Sequence, residues 1–60
     1  MADTLIATRD GDRLFSLGSH VNADGVLIFH GYMLTENGGR IEVPNIDVLI
    51  GHGYWDELVD

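Results

Sequence analysis

The stretch VLIFHGY, residues 26–32, returns as VLIGHGY at residues 48–54, with six of seven positions identical at an offset of 22. Whether the second copy repeats the structure of the first decides the fold to expect. Stepping the same offset back from Val26 reaches Thr4-Leu5-Ile6, so a β-branched residue followed by Leu-Ile occurs three times in register. The first copy then diverges to ATRD where the others have FHGY and GHGY. Structural repeats of this size stack units that cannot bury their apolar faces alone. Two architectures follow: hairpins in an antiparallel meander or small barrel, or a short β-solenoid of about 22 residues per unit.

Turn chemistry favours the hairpins. Asp10-Gly11 lies between two apolar runs, and both residue types accept the positive φ of a type I′ turn, so strands are expected at 4–9 and 12–17, with Arg9 opposite Asp12 and Ile6 opposite Phe15. Residues 18–25, GSHVNADG, are rich in turn formers and read as a linker. A long strand is expected over 26–34, and Asn37-Gly38 is the second hairpin signal, returning through 40–43. Pro44 ends that strand because it has no N–H for a ladder. Residues 46–50 read as the last strand. Beyond it, Trp55, Leu58 and Val59 are spaced for one apolar helical face, and so short a helix must dock to be ordered. The expectation is a small all-β domain over residues 1–60, with units 4–17, 26–43 and 46–59 and a short C-terminal helical or irregular segment.

A 60-residue chain buries only about 60% of the surface its unfolded form exposes, so the core must be thin. With no cysteine, neither disulfides nor thiolate metal sites can staple it, and packing or association must do so. The N-terminal stretch MADTLIATRDGD has an acidic third residue and no long apolar core, unlike a secretory signal. No apolar run approaches the length of a membrane span. A cytoplasmic protein is expected, in a host cell if phage-encoded.

A two-residue Asn37-Gly38 loop would pair Leu34 with Ile41 and Tyr32 with Val43. Val26, Ile28, His30, Tyr32, Leu34, Ile41 and Val43 would then form the core face. Leu27, Phe29 and Met33 would lie opposite, beside Arg40 and Glu42, as an apolar patch rimmed by charge of the kind that marks a binding surface. Trp55 would cover part of it.

The candidate chemistries are weak on spacing. His20, His30 and His52 fall on separate elements without the close ligand spacing of a structural zinc site, so no metal or other cofactor is expected. Ser16, Ser19 and Asp24 near His20 lack a nucleophile motif such as GxSxG. Carboxylate pairs among Asp10, Asp12, Glu36 and Glu42 are what ten acids in such a chain produce by composition, and a sugar-sized cleft is not expected beside them. GSHVNADG lacks a P-loop lysine, and DGD lacks the full calcium-loop ligand pattern. No catalytic residue is assigned, and an enzyme is not expected.

Binding is what remains. Ten acidic residues face three arginines, for a formal charge of −7, which would repel bare nucleic acid and suits a basic protein surface. The acids fall at turns and strand ends, with Asp10, Asp12, Asp24, Glu36, Asp47, Asp56 and Glu57 as candidate partner-binding residues. Leu27, Phe29, Met33 and Trp55 are the apolar candidates. The leading expectation is a non-catalytic module that occupies the basic surface of a nucleic-acid-binding protein. In size and charge the chain is similar in type to small phage-encoded inhibitors that mimic nucleic acid, such as anti-restriction and anti-CRISPR proteins, although no motif ties it to a family. The alternative is a structural or virion-associated protein that assembles with copies of itself, burying apolar faces and strand edges.

Overall fold

The computed structural model describes residues 3–58. Its elements run β1 (Thr4–Arg9), β2 (Asp12–Val21), β3 (Leu27–Leu34), β4 (Arg40–Val43), α1 (Ile46–His52) and β5 (Asp56–Glu57). The strands form one antiparallel five-stranded sheet in the order β4-β3-β2-β1-β5. The first four make a meander. The chain then returns through α1 to the free edge of β1, where β5 sets Glu57 opposite Ala7 and Asp56 opposite Thr8. The small all-β architecture with a short helix towards the C-terminal end is therefore present, as an open meander. A solenoid is excluded, because its coils would place successive units in parallel register, whereas every neighbouring pair here is antiparallel.

The first hairpin forms where the Asp-Gly signal lies. Asp10 (φ 49°) and Gly11 (φ 93°) both take positive φ, as a type I′ turn demands, and Arg9 faces Asp12. A bulge between Leu5 and Ala7 then changes the pairing, so Phe15 faces Leu5 rather than Ile6. The extra residue bends the strand.

The second hairpin corrects the expected faces. Gly38 (φ 89°) alone among residues 35–39 takes positive φ, whereas a two-residue I′ loop at Asn37-Gly38 would need it at both positions. The loop is Glu36-Asn37-Gly38, with the Gly38 N–H donating to the Thr35 carbonyl and the Thr35 N–H to the Gly39 carbonyl. One more loop residue shifts the register by one: Leu34 faces Arg40, Met33 faces Ile41 and Tyr32 faces Glu42. A one-residue slip sends every side chain to the other face. Met33 therefore points to the core, and Tyr32 lies with Arg40 and Glu42 on the opposite side.

Residues 46–50, expected as a strand, are the body of α1. Asn45 is its N-cap, and its Oδ1 accepts from the Val48 N–H at 3.3 Å, which satisfies a donor the first turn leaves open. Asp47 in the first turn complements the helix dipole. Ile46, Leu49 and Ile50 recur at helical spacing and pack on the row formed by Ala7, Leu14 and Met33, together with Val43 and Trp55. Trp55 lies outside any helix, in the extended segment leading into β5, and the Leu58 N–H donates to the Ile6 carbonyl. Val59, the third residue of the expected helical face, falls outside the described residues.

Much of residues 18–25, expected as a linker, is strand. β2 runs on to Val21, past a bulge between Ser16 and Gly18. Beside that bulge the backbone of Phe15 presses on Gly31, where a Cβ would lie 1.8 Å from the Phe15 carbonyl oxygen. β1 reaches only as far as Ser16 of β2, and β4 only as far as Gly31 of β3. Residues 18–21 and 27–30 therefore continue as a two-stranded arm. Its tip, Ala23-Asp24-Gly25, repeats the loop geometry of residues 36–38: the Gly25 N–H donates to the Asn22 carbonyl and the Asn22 N–H to the Val26 carbonyl. Asn22 Oδ1 accepts from the N–H groups of Asp24 and Val26 and braces the turn. Among the described residues no helix is long and apolar enough to cross a membrane.

Candidate protein-binding groove

On the face away from α1, aromatic and charged groups take the place of a covering helix. Phe15 and Tyr32 stack with ring centroids 5.1 Å apart and planes 17° from parallel, and the Arg40 guanidinium sits 4.0 Å from the Tyr32 ring centroid. Stacking and cation–π contact each stabilise such a cluster by about 0.5–1.5 kcal/mol. The Tyr32 hydroxyl donates to the Asp3 carboxylate at 2.5 Å. That hydrogen bond, aided by desolvation, pushes the Tyr32 ionisation above the usual 10.0. Arg40 donates to Glu42 at 2.6 Å, which holds the Glu42 carboxyl below its usual value and raises that of Arg40. On this face Arg40 and Glu42 are paired with each other, while Arg13 stays exposed beside the aromatic pair.

The helix side carries an open groove of about 480 Å³ lined by Ile6, Ser16, Phe29, Ile46, Asp47, Ile50, Glu57 and Leu58. Five elements contribute to it, Ser16 coming from β2 and Phe29 from β3. The β1 bulge turns Ile6 into it, α1 supplies Ile46, Asp47 and Ile50, and the segment from β5 onward brings Glu57 and Leu58. Phe29 lies at the root of the arm, half exposed, where β3 leaves the cover of α1. The floor is apolar, and the two charged side chains in the lining are both carboxylates. A pocket of this kind accepts an apolar side chain and favours a cation beside it.

The groove joins Phe29, Asp47 and Glu57, three of the residues singled out in the sequence. The other candidates fall elsewhere. Asp10, Asp12 and Glu36 gather at the end of the sheet where the two turns meet, with Asp12 Oδ1 accepting from the Glu36 N–H at 3.0 Å. Asp24 stands at the tip of the arm, Leu27 is exposed along the arm, and Asp56 faces solvent on β5. Met33 and Trp55 are core residues, each 9% exposed. The shifted register explains Met33. Trp55 is covered by Arg9, whose guanidinium lies 4.4 Å from its ring centroid. Ile6, Ile50 and Leu58 line the groove without having been singled out. The i, i+4 spacing of Ile46 and Ile50 was a usable signal for the helix side, whereas the bulge that turns Ile6 has no sequence signature of its own.

A second apolar concavity of about 330 Å³ lies between β4 and α1, where Ile41 and Val48 are exposed beside the outer edge of β4, which is unpaired among the described residues. In comparisons with protein-family models, curated proteins and solved structures, nothing matches this chain. The functional reading therefore rests on the site alone.

Proposed function

We propose that the protein is a non-catalytic binding module whose groove takes an apolar side chain from a basic segment of a partner protein. The partner's arginine or lysine residues meet Asp47 and Glu57. The observation that carries this reading is an apolar floor whose charged lining side chains, among the described residues, are both carboxylates, on a chain whose formal charge is −7. Long-range attraction steers a basic partner to such a surface, and the apolar floor holds it once docked. Nucleic-acid-binding proteins carry the complementary surface, so an inhibitor that occupies such a surface is the role best suited to this chemistry.

The test is capture from a host lysate at low and high salt, with bound proteins identified by mass spectrometry. Phe29→Asp and the pair Asp47→Asn with Glu57→Gln are compared with the unaltered chain. Basic nucleic-acid-binding proteins should be retained at low salt and lost at high salt, and either variant should reduce capture by about tenfold, the factor for roughly 1.4 kcal/mol. Capture indifferent to salt and to both variants would sink the reading.

A second reading, self-assembly into a structural or virion-associated oligomer, draws on exposed Val21, Val26 and Leu27 on the arm and on the free β4 edge beside Ile41. Unpaired edges and apolar strands invite pairing with another copy. Sedimentation at micromolar concentration distinguishes the two readings: a dimer or larger species, broken by Leu27→Asp or Ile41→Lys, would favour assembly.

A further inference from the structure

The register of the arm brings together two histidines that lie ten positions apart in the chain. Gly18 faces His30 and His20 faces Ile28, so His20 and His30 are diagonal neighbours on the face away from α1. Their ring centroids are 5.1 Å apart with planes tilted by 41°, and their Nδ1 atoms approach to 3.1 Å. One ring donates and the other accepts in that contact. The pair is exposed to water, where a hydrogen bond merely replaces hydration and contributes little net stability.

We propose that His20 and His30 chelate a divalent late transition ion of the zinc class through their two Nδ1 atoms. An ion held about 2.0–2.1 Å from each nitrogen, with the nitrogens 3.1 Å apart, subtends an angle of about 98°. That lies between the right angle of an octahedral site and the tetrahedral value, so only a small opening of the rings gives tetrahedral zinc geometry. The ion takes the place of the shared proton. The hairpin tip restrains the chelate, because Asn22 Oδ1 holds two backbone N–H groups across the turn, and the net negative charge of the chain favours a cation at its surface. Glu42 lines a concavity with His30, but Arg40 holds its carboxylate. Among the described residues no cluster of three metal-binding side chains occurs. Two imidazoles and solvent therefore make the coordination sphere, and this chemistry selects zinc, nickel or copper over magnesium, which demands oxygen ligands.

The test is a zinc chloride titration of the 15N-labelled chain, carrying no polyhistidine tag, followed by NMR and by calorimetry. One ion per chain should bind, with shift changes concentrated at residues 18–20 and 28–30. Magnesium chloride should produce none of them. His20→Ala and His30→Ala should each weaken zinc binding by at least about tenfold, whereas His52→Ala, on α1, should leave it unchanged. Retained shifts at residues 12–16 and 31–34 would show that each variant folds, and His30→Gln serves if His30→Ala does not. Binding that survives both single substitutions, or that His52→Ala removes, would overturn the proposal. One ion per two chains, accompanied by a sedimenting dimer, would overturn the single-chain chelate in favour of a site shared between copies.

Discussion

Two nearly identical heptapeptides in this molecule adopt different structures. VLIFHGY is the last residue of the arm's loop followed by most of β3, and VLIGHGY is the second part of α1 followed by the bend into β5. The valines are alike, each half exposed with its N–H donated to an upstream asparagine side chain, but the tyrosines, histidines and glycines play different parts in the two. Tyr32 is 7% exposed, stacked on Phe15 and beneath Arg40, while Tyr54 is 98% exposed. His30 meets His20 across a strand pair, whereas His52 ends a helix. Gly31 is pressed against the backbone of Phe15, while Gly53 lies beside the flexible end of Arg9. The residues just before the heptapeptides make the difference. Ala23-Asp24-Gly25 closes a hairpin that hands Val26 straight into a ladder, and Pro44-Asn45 ends one strand and caps a helix. Local propensity is a weak prior that such context overrides.

The largest expected effect separates the two glycines. Gly31→Ala would force a Cβ into backbone that cannot yield, so a loss of about 3 kcal/mol or more is expected, the upper part of the range for overpacking. Gly53→Ala meets the end of Arg9, which can swing away, and its Cβ would lie 3.2 Å from Nε1 of the Trp55 ring, so a smaller loss of about 1–2 kcal/mol is expected. Thermal unfolding followed by circular dichroism measures both, and equal losses would break the contrast.

The tyrosines come next. Tyr32→Ala should lose roughly 2–4 kcal/mol, as for an aromatic removed from a packed cluster, whereas Tyr54→Ala should stay within about 0.5 kcal/mol. Tyr32 also carries a pH signature. Because its folded ionisation lies above that of free tyrosine, its contribution is full below pH about 10 and is lost as the pH rises through the raised value. Tyr32→Phe should remove that alkaline dependence from a denaturation series.

The smallest effect is a gain. Gly51 lies inside α1 with open space around its Cβ position, so Gly51→Ala should stabilise by about 0.5–1 kcal/mol, a rise in melting temperature of a few degrees. Gly51→Phe sharpens the comparison further by making the heptapeptides identical. Backbone chemical shifts should still report helix over 46–52, and a change to strand shifts would show that the residue at this position, and not its surroundings, selects the fold.

These contrasts also explain what was legible in the residues alone. The first hairpin was, because Asp10-Gly11 satisfies one turn type and no competing signal lies nearby. The second was only half legible: Asn37-Gly38 marks a turn, yet a three-residue loop ending in Gly38 uses the same residues, and the choice turns β3 over while Ile41 and Val43 of β4 stay on the core side. The helix had a signal in Pro44-Asn45-Ile46-Asp47, an N-cap signature, but the β-branched and apolar run that follows reads equally well as a strand. Of the groove, the charge and Phe29 were visible. Its assembly was not, because it depends on a β-bulge at Ile6 and on β5 returning to β1, neither of which leaves a local mark. The approach of His20 to His30 required β2 to continue through a glycine at a bulge.

The pairing of β5 with β1 joins Thr8 to Asp56, nearly the two ends of the described chain. Each link of the meander closes over a short stretch, whereas this one must wait for a long loop to close, and non-local contacts of that kind form late. As the protein emerges from the ribosome, the outer edge of β1 stays unpaired until residues 56 and 57 have been made. For that interval the nascent chain displays an open strand edge beside the vacant place of Trp55, the form in which it is most exposed to pairing with a neighbouring chain or to capture by a chaperone.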